Sequence, residues 1–281
     1  MPTPQRPGLI TLLTDFGTAD YFVAAMKGVI LSRRADARVV DITHEIAPQD
    51  IQAAAFTLLA AYKSFPAGTI HLAVVDPGVG SARRPIVASC GNQFFIGPDN
   101  GIFSYIFERE PPAQVIHIQN EEYFHHPVSA SFHGRDVFAA VAAALAQGVE
   151  PLQLGKEITD WVLLESLAPE TLDDGSIRAR IIHIDRFGNC ITNLTRPDLP
   201  DNLSDRGLRL SINGTEIDSL RRFFAEEPTS SNDLFAIWGS AGFLEVSVLN
   251  ASAANSLRAE VGQTLVAWPE VSRKGAKKGR T

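Results

Sequence analysis

The sequence has few cysteines, no long apolar run and no excess of basic residues, and each absence excludes a class of protein. Its two cysteines, Cys90 and Cys190, are far apart and match no metal-binding or redox spacing. We interpret both as reduced, semi-buried residues, and a single disulfide between them is the alternative. No apolar run approaches the roughly 18 residues that a membrane-spanning helix needs, so no membrane association is predicted.

The chain is acidic overall but basic at its C-terminal end. Its net charge of −7 over 281 residues argues against a nucleic-acid binder that uses a generally basic surface. Residues 271–281 contain only basic charges, at Arg273, Lys274, Lys277, Lys278 and Arg280. We expect this segment to be a disordered, solubilising tail, with weak polyanion contact as the alternative. Residues 1–7 lack the apolar stretch of a secretory signal peptide, so a cytoplasmic location is expected.

The first half of the chain alternates strand-like and helix-like patterns. Apolar, β-branched runs at residues 9–14, 39–42 and 69–75 predict buried strands. Helical periodicity from 21 to 33, and again from Pro48 onwards, predicts the helices between them. Such alternation is typical of βαβ units, so we predict an α/β domain with a mainly parallel sheet.

Further along, two more elements belong to this domain. Residues 86–90 and 94–96 form a predicted hairpin around Gly91 and Asn92. An alanine-rich stretch from 134 to 148 predicts a long helix.

Beyond residue 176 the pattern changes to short strands. These are predicted at residues 178–184, 208–212, 234–238, 244–249 and 264–268. Together they indicate an all-β module, either a small barrel or a sandwich. We therefore divide the chain into an N-terminal α/β domain (1–160), a linker (161–175), a C-terminal β domain (176–270) and the basic tail (271–281).

Ligands bind open parallel sheets beyond the carboxyl ends of the strands. Loops leave such ends at residues 14–18, 41–45 and 76–84. An Asp at this position either caps the next turn or accepts hydrogen bonds from a ligand hydroxyl. Asp15 suits a ribose diol, because an ionised carboxylate accepts from two hydroxyls at once. Asp76 and Arg83 can form an ion pair across the third loop, for which a purely structural salt bridge is the alternative.

Two other segments are rich in chemically useful side chains. His133 lies between Phe132 and Gly134 at the start of the predicted long helix, where a capping or packing role is the alternative. Asp185 and Asn189 lie in the β module, where Asn suits an amide-edged or amine-bearing ligand and a left-handed turn is the alternative. No group of residues has metal-ligand spacing, so no metal site is predicted.

Six motifs occur in order along the chain: TDFG at 14–17, VVDPGVG at 74–80, Arg83-Arg84, GPDNG at 97–101, FHGRDVFA at 132–139 and IDRFGN at 184–189. Together they resemble the S-adenosylmethionine (SAM) hydroxide adenosyltransferases, also called SAM hydrolases, which are relatives of the fluorinase and chlorinase. The resemblance extends from about Ile10 to about Trp268. It implies an N-terminal α/β domain, a C-terminal β-barrel-like domain, and a homotrimer with the ligand at the subunit interface. It also implies hydrolysis of SAM to adenosine and L-methionine, with SAM as substrate and no cofactor.

The resemblance also implies a role for individual residues. The water-activating trio corresponds to Asp76, Arg83 and His133, and Phe132 would help to keep the pocket dry. The predicted substrate contacts are Asp15 for the ribose, Asp185 for the methionine amine, Ser240 for its carboxylate, and Asn189, Ser252 and Ala253 for the adenine.

Two other functions remain as alternatives to hydrolysis. The first is a chloride-dependent adenosyltransferase, but the halogenases have Tyr where this chain has Asp76 and again where it has His133. They have Thr in place of Val79, and the fluorinase has Ser in place of Gly134. The second is a non-catalytic SAM sensor, which would bind the same ligand without turnover. The pattern at these positions favours in-line attack of an activated water on C5′.

Overall fold

The computed structural model describes residues 8–199, 208–226 and 234–269. The predicted basic tail, 271–281, lies outside the described residues. The chain divides into two compact units, Met1–Ser166 and Leu167–Thr281. This division falls within the segment 161–175.

The first unit is a seven-stranded sheet with helices. Its elements are β1 (Leu9–Thr14), α1 (Phe22–Arg33), β2 (Arg38–Thr43), α2 (Ile51–Ala61), β3 (Ile70–Val74), β4 (Pro85–Cys90), β5 (Gln93–Pro98), α3 (Ser104–Arg109), β6 (Gln114–Ile118), a π-helix (Gly134–Ala139), α4 (Ala140–Ala146), α5 (Pro151–Leu154) and β7 (Gly155–Glu157). The predicted long helix therefore exists, but its first turn is a π-helix.

The strand order of this sheet is β2-β1-β3-β5-β4-β6-β7. Pairing is parallel from β2 to β5 and antiparallel from β5 to β7, so the sheet is mixed. The predicted hairpin is confirmed: Gly91 and Asn92 both have positive φ, as a tight turn between β4 and β5 requires. Because β1, β2 and β3 are parallel, the loops that follow them leave the same edge of the sheet.

Helix α4 lies in the centre of the first unit, where it packs against α1, β1 and β3. All of its residues are at most 3% exposed. Alanine side chains suit this position because they let backbones approach closely without leaving polar groups to satisfy. Because α4 continues the π-helix, the packing of α4 fixes the π-helix, which begins directly after His133.

The second unit is a nine-stranded sheet that curls into a half-barrel. Its elements are β8 (Glu170–Thr171), β9 (Ile177–Ile184), β10 (Cys190–Thr195), β11 (Leu208–Ile212), β12 (Thr215–Ile217), β13 (Leu220–Arg221), β14 (Leu234–Trp238), β15 (Phe243–Val248), α6 (Ala253–Leu257) and β16 (Thr264–Pro269). The order is β12-β11-β16-β9-β10-β15-β14-β13, with β8 beside β9. The predicted all-β module is confirmed.

The central strand β10 has no clear signal in the sequence, because buried polar residues interrupt its apolar pattern. Thr192 donates to the carbonyl of Leu244 at 2.8 Å, and Asn193 donates to the carbonyl of Leu167 at 2.9 Å. Buried polar side chains are tolerated when they are hydrogen-bonded in this way. Cys90 and Cys190 are both buried and unpaired. No helix among the described residues has the length and apolarity needed to cross a membrane.

His71, on β3, makes the stability of the first unit dependent on pH. Its side chain is fully buried, and its Nδ1 lies 2.8 Å from Thr11 Oγ1. Burial lowers the pKa of His71 from 6.5 to about 4. As the pH is lowered, His71 of the unfolded chain is protonated near pH 6.5, whereas the buried ring of the folded chain stays neutral until about pH 4. The free energy of unfolding therefore falls by about 3 kcal/mol between these two pH values.

We expect the free energy of unfolding, measured by urea denaturation, to fall less between pH 7 and 4.5 for His71→Gln than for the wild type. Glutamine keeps a polar atom for Thr11 but does not titrate. Equal pH slopes for the two proteins would contradict the assignment of this loss to His71.

Candidate active site

The loop after β1 carries Asp15 and Phe16 and is held by the segment after β2. Gly17 has a φ of +65°, and its amide donates to the carbonyl of His44 at 2.8 Å. The amide of Gln49 donates to Asp15 Oδ2 at 2.8 Å. One oxygen of the Asp15 carboxylate is therefore fixed by the protein, and this orients the other for a further donor.

Asp76, Arg83 and His133 lie together. Arg83 Nε lies 2.9 Å and 3.0 Å from the two Asp76 oxygens, and Nη2 also contacts Oδ2. The same Nη2 lies 2.8 Å from His133 Nδ1. The Asp76 and Arg83 side chains are 6% and 9% exposed. The structure thus brings the three predicted residues into one hydrogen-bonded group, with Arg83 in the middle.

Glycine is required where the loop after β3 meets the segment before His133. A Cβ at Gly80 would lie 2.4 Å from the carbonyl oxygen of Ala130, and the φ of Gly80 is +77°. Any side chain there would push the two loops apart. The glycine of the VVDPGVG motif therefore allows Asp76 and His133 to share one arginine.

The contact with Arg83 determines which nitrogen of His133 carries the proton. An arginine side chain only donates, so Nδ1 of His133 accepts this hydrogen bond. The neutral ring then carries its hydrogen on Nε2. Burial and the charge of Arg83 lower the pKa of His133, and Asp76 and Asp136 oppose this effect. Neutral His133 is therefore a hydrogen-bond donor through Nε2.

Buried Asp136 holds the segment that leads into the π-helix. It is fully buried and accepts from Arg135 Nε at 2.6 Å and from the amide of Ser129 at 2.8 Å. Burial raises the pKa of Asp136, but the bonds from Arg135 and Ser129 outweigh it and the net pKa is lowered. The guanidinium of Arg135 lies 5.3 Å from the ring centre of Phe132. Asp136 thereby holds Ser129 directly, and Phe132 through Arg135, against the start of the π-helix.

A cavity of about 170 Å³ lies beside the trio. It is lined by Phe16, Phe22, Val74, Asp76, Val79, Ser131, Phe132, His133 and Gly134. The three phenyl rings contact one another, with centroids 5.1–6.0 Å apart. Asp76 and His133 therefore line an otherwise largely apolar space, in which their charge and hydrogen bonds are weakly screened. Arg83 contacts both of them but is not among the described residues that line the cavity.

Phe16 and Phe22 are missing from the sequence-based prediction of the site. Phe16 belongs to the TDFG motif, which is a signal that sequence reasoning had available. Phe22 begins α1 and has the appearance of an ordinary core residue.

At about 170 Å³, this cavity is smaller than the roughly 300–1,000 Å³ usual for small-molecule sites, so it fits the reacting end of a ligand and not a whole nucleoside.

In the second unit, the turn between β9 and β10 brings Asp185 and Asn189 together. Asp185 Oδ1 accepts from the amides of Phe187 and Asn189, both at 2.9 Å, and Oδ2 accepts from Asn189 Nδ2 at 2.8 Å. The left-handed turn, which was the alternative interpretation of this segment, is present at Gly188, where φ is +84°. The turn and the polar pair coexist here, because the Asp side chain closes the turn.

Ser252 and the first turn of α6 pack directly on the turn between β9 and β10. A Cβ at Gly188 would lie 2.1 Å from Ser252 Oγ, and the amide of Ala254 donates to the carbonyl of Gly188 at 2.9 Å. A cavity of about 730 Å³ is lined by Phe187, Asn189, Phe224, Val248, Leu249, Asn250, Ala251 and Ser252. Ala253 is fully buried and is not among the residues that line this cavity. Phe187 and Phe224 carry no periodic pattern that marks them in the sequence.

Comparison with known proteins decides the family. The model of the SAM hydroxide adenosyltransferase N-terminal domain matches residues 10–155, and the model of the C-terminal domain of the same family matches residues 179–266. The chain belongs to the SAM hydroxide adenosyltransferase family.

The named relatives include SAM hydrolases and, at lower identity, fluorinases. The "(R)-S-adenosyl-L-methionine hydrolase" of Thermus thermophilus is 38% identical over 267 residues, which cover 92% of this chain and 98% of that protein. The protein of the same name from Methanocaldococcus jannaschii is 37% identical, with coverage of 90% and 92%. A fluorinase from Actinoplanes sp. is 26% identical, with coverage of 71% and 75%.

Solved structures support the fold of this SAM hydroxide adenosyltransferase. An uncharacterized conserved protein from Thermotoga maritima has a TM-score of 0.84 and 32% identity, and the match covers 92% of this chain and 99% of that one. A conserved hypothetical protein from Thermus thermophilus has a TM-score of 0.74 and 34% identity, with the same coverage of 92% and 99%.

Ser240 lies exposed in the turn between β14 and β15. The preceding residue is Gly239, and a Cβ there would lie 1.7 Å from Glu245 Oε1. The Glu245 carboxylate therefore occupies the space that a side chain at position 239 would need. Burial and the nearby charge of Asp185 raise the pKa of Glu245. Sequence reasoning overlooked Glu245, because a single acidic residue in a strand is normally solvated.

No cluster of three metal-ligating side chains occurs among residues 8–199, 208–226 and 234–269.

Proposed function

We propose that this SAM hydroxide adenosyltransferase hydrolyses (R)-S-adenosyl-L-methionine to adenosine and L-methionine by in-line attack of an activated water on C5′. The observation that carries the proposal is the Asp76–Arg83–His133 group beside a small aromatic cavity. It occurs in a chain 38% identical to a protein named (R)-S-adenosyl-L-methionine hydrolase. The cavity has the size for a water molecule and the reacting carbon, not for the whole substrate.

The chemical difficulty of this reaction is the nucleophile. The leaving methionine departs from a sulfonium as a neutral thioether, so it needs no general acid. Water has a pKa of about 15.7, so hydroxide is scarce at neutral pH. A site that removes a proton from a positioned water, in a largely apolar cavity, addresses this difficulty directly.

The protonation states divide the work among the trio. His133 donates its Nε2 hydrogen to the water oxygen and holds one lone pair in place, because its Nδ1 is occupied by Arg83. Asp76 is the carboxylate among the described residues that line the cavity, so it takes the proton from the water. Arg83 holds the side chains of Asp76 and His133 in place through hydrogen bonds, and its positive charge favours the hydroxide form of the bound water.

The cavity wall and the first loop bind the adenosyl end. Asp15 accepts hydrogen bonds from the ribose hydroxyls through the oxygen that Gln49 leaves available. Phe132 and the other two phenyl rings face the sulfonium, because the face of an aromatic ring attracts a cation electrostatically. The three rings also exclude water molecules other than the nucleophile.

The methionine and adenine groups bind residues of the second unit. The methionine ammonium binds the carboxylate of Asp185, and Glu245 supplies a second carboxylate nearby. The methionine carboxylate binds Ser240. Adenine binds Asn189, Ser252 and the backbone of Ala253, which surround or adjoin the larger cavity. SAM is thus a substrate, and the reaction requires no cofactor.

We also propose a homotrimer in the cytoplasm with the ligand at the subunit interface. Phe187 is 78% exposed and Leu249 is 48% exposed at the larger cavity. Exposed apolar residues around a ligand cavity are typical of a surface that another subunit covers. Light scattering coupled to size-exclusion chromatography tests this assembly, and a monomer that hydrolyses SAM at full rate would contradict it.

The lowered pKa of His133 gives a pH dependence with a definite sign. Protonation would place a hydrogen on Nδ1 against Arg83, so the neutral ring is the active form. We expect kcat to be constant around neutral pH and to fall as the pH drops through a value below 6.5. For His133→Asn, kcat should be lower and this acidic limb absent. An acidic limb that persists unchanged in the variant would assign it to another group.

Product analysis tests the function itself. Purified protein is incubated with SAM, with and without chloride, and the products are separated by chromatography and identified by mass. We expect adenosine and methionine in equal amounts under both conditions, with oxygen from ¹⁸O-labelled water at C5′ of adenosine. A chlorinated nucleoside would indicate a halogenase, and intact SAM recovered in stoichiometric complex would indicate a sensor.

A further inference from the structure

His44 is a buried histidine outside the cavity that none of the roles above uses. It follows β2 directly, and only 4% of its surface is exposed. Its Nδ1 lies 2.8 Å from Thr14 Oγ1, at the end of β1. Its Nε2 lies 3.1 Å from Asp41 Oδ1. Asp41 in turn accepts from Lys27 Nζ at 2.6 Å.

These contacts resemble an Asp–His–hydroxyl triad, but their position excludes nucleophilic catalysis. Thr14 is fully buried, so no substrate carbon reaches its oxygen. With the Nε2 hydrogen facing Asp41, Nδ1 accepts from the Thr14 hydroxyl. The same Thr14 oxygen accepts from the amide of Phe16 at 3.3 Å. The chain of contacts therefore ends on the backbone of the first loop.

The backbone of His44 contacts the other end of the same loop. Its carbonyl accepts from the amide of Gly17 at 2.8 Å. The loop that contains Asp15 and Phe16 is thus attached to one histidine at both ends, through a side chain at Thr14 and through the main chain at Gly17. A loop held at both ends by a buried residue loses little further freedom when a ligand binds.

We propose that His44 is a positioning residue, which sets Asp15 for the ribose and Phe16 for the wall of the reaction cavity. This inference rests on the proposed function, because it assigns the ribose to Asp15. His44 acts through the loop and touches neither the substrate nor the water. Its loss therefore weakens recognition of the ribose hydroxyls specifically.

His71 provides a matched control. It is also a fully buried histidine in this sheet, and its Nδ1 also lies 2.8 Å from a threonine hydroxyl on β1, that of Thr11. It lies away from the first loop. His44→Ala and His71→Ala both remove a buried histidine–threonine contact, but only the first loosens the Thr14 end of the loop that contains Asp15. His44→Asn keeps a polar atom near the Nδ1 position and serves as the rescue variant.

We expect His44→Ala to raise KM for SAM by about tenfold, the value of one charge-assisted hydrogen bond to the ribose, while kcat falls by less than about fivefold. His71→Ala should leave KM within about twofold after correction for the folded fraction. His44→Asn should recover most of the lost affinity. A KM for His44→Ala equal to that of His71→Ala would overturn the proposal.

Binding of adenosine and 2′-deoxyadenosine to the full chain, by calorimetry, gives a readout independent of turnover. The wild type should prefer adenosine by about tenfold, the value of one charge-assisted hydrogen bond, and in His44→Ala this ratio should approach one. An unchanged ratio would overturn the role of His44 even if the wild type hydrolyses SAM. Failure of the wild type to hydrolyse SAM, with the ratio altered as expected, would instead overturn the proposed function alone.

Discussion

Arg83→Ala should lower kcat for SAM hydrolysis by about 10²- to 10⁴-fold, the range for positioned acid–base groups. The variant leaves Asp76 without its bidentate partner and His133 without the donor that fixes its tautomer. KM should change by less than about threefold, because Arg83 lies behind the residues that line the cavity. Steady-state assays on protein of verified folded fraction measure both constants.

Arg84→Ala is the matched control for this variant. Arg84 is the next residue along the chain and also pairs with carboxylates, since its Nε lies 2.8 Å from Asp99 Oδ2 and its Nη1 lies 2.8 Å from Asp160 Oδ1. Its removal should lower the melting temperature with little change in kcat per folded molecule. Arg83→Lys should stay close to Arg83→Ala, because an ammonium does not bridge a carboxylate and an imidazole in one plane. Near-normal turnover of Arg83→Ala would contradict the mechanism.

Asp76→Asn should also lower kcat by about 10²- to 10⁴-fold, and it should change the response to alkali. Asparagine keeps the shape of the side chain and one acceptor for Arg83, but it does not take a proton from water. The variant then depends on hydroxide from solution. Its kcat should rise about tenfold per pH unit between pH 7 and 9, where the wild type is constant.

A pH-independent Asp76→Asn enzyme would mean that Asp76 only orients Arg83 and that the proton leaves by another route. Asp99→Asn serves as the control, because Asp99 is a buried carboxylate paired with an arginine beside the site. It should alter stability without producing the alkaline dependence. The two variants together separate loss of a base from loss of a buried ion pair.

Much of the fold was predictable because it depends on local patterns. The bounds of β1, β11 and β14 agree with the predicted strands, since apolar runs of that length between turn residues have few alternatives. β10 was missed because Thr192 and Asn193 interrupt the pattern and are satisfied by partners distant in sequence. The π-helical turn after His133 likewise has no periodic signal.

The candidate site was only partly predictable for a similar reason. The motifs identified Asp76, Arg83 and His133 because the chemistry needs those residue types, and the structure brings the three together. Their catalytic roles stay predictions. Motifs do not report that Arg83 lies behind the other two, which follows from a contact between residues fifty positions apart in the chain.

By itself, the sequence determined the family, the α/β and all-β organisation, and the residue types available for chemistry. These properties depend on composition, periodicity and short motifs, which are local. Only the tertiary structure decided which nitrogen of His133 donates, that Phe22 lines the cavity, that Glu245 lies beside Gly239, and that His44 holds the first loop. All of these except the Gly239–Glu245 contact, which crosses the turn between β14 and β15, depend on a long-range contact. Such contacts arise only when packing brings distant segments of the chain together.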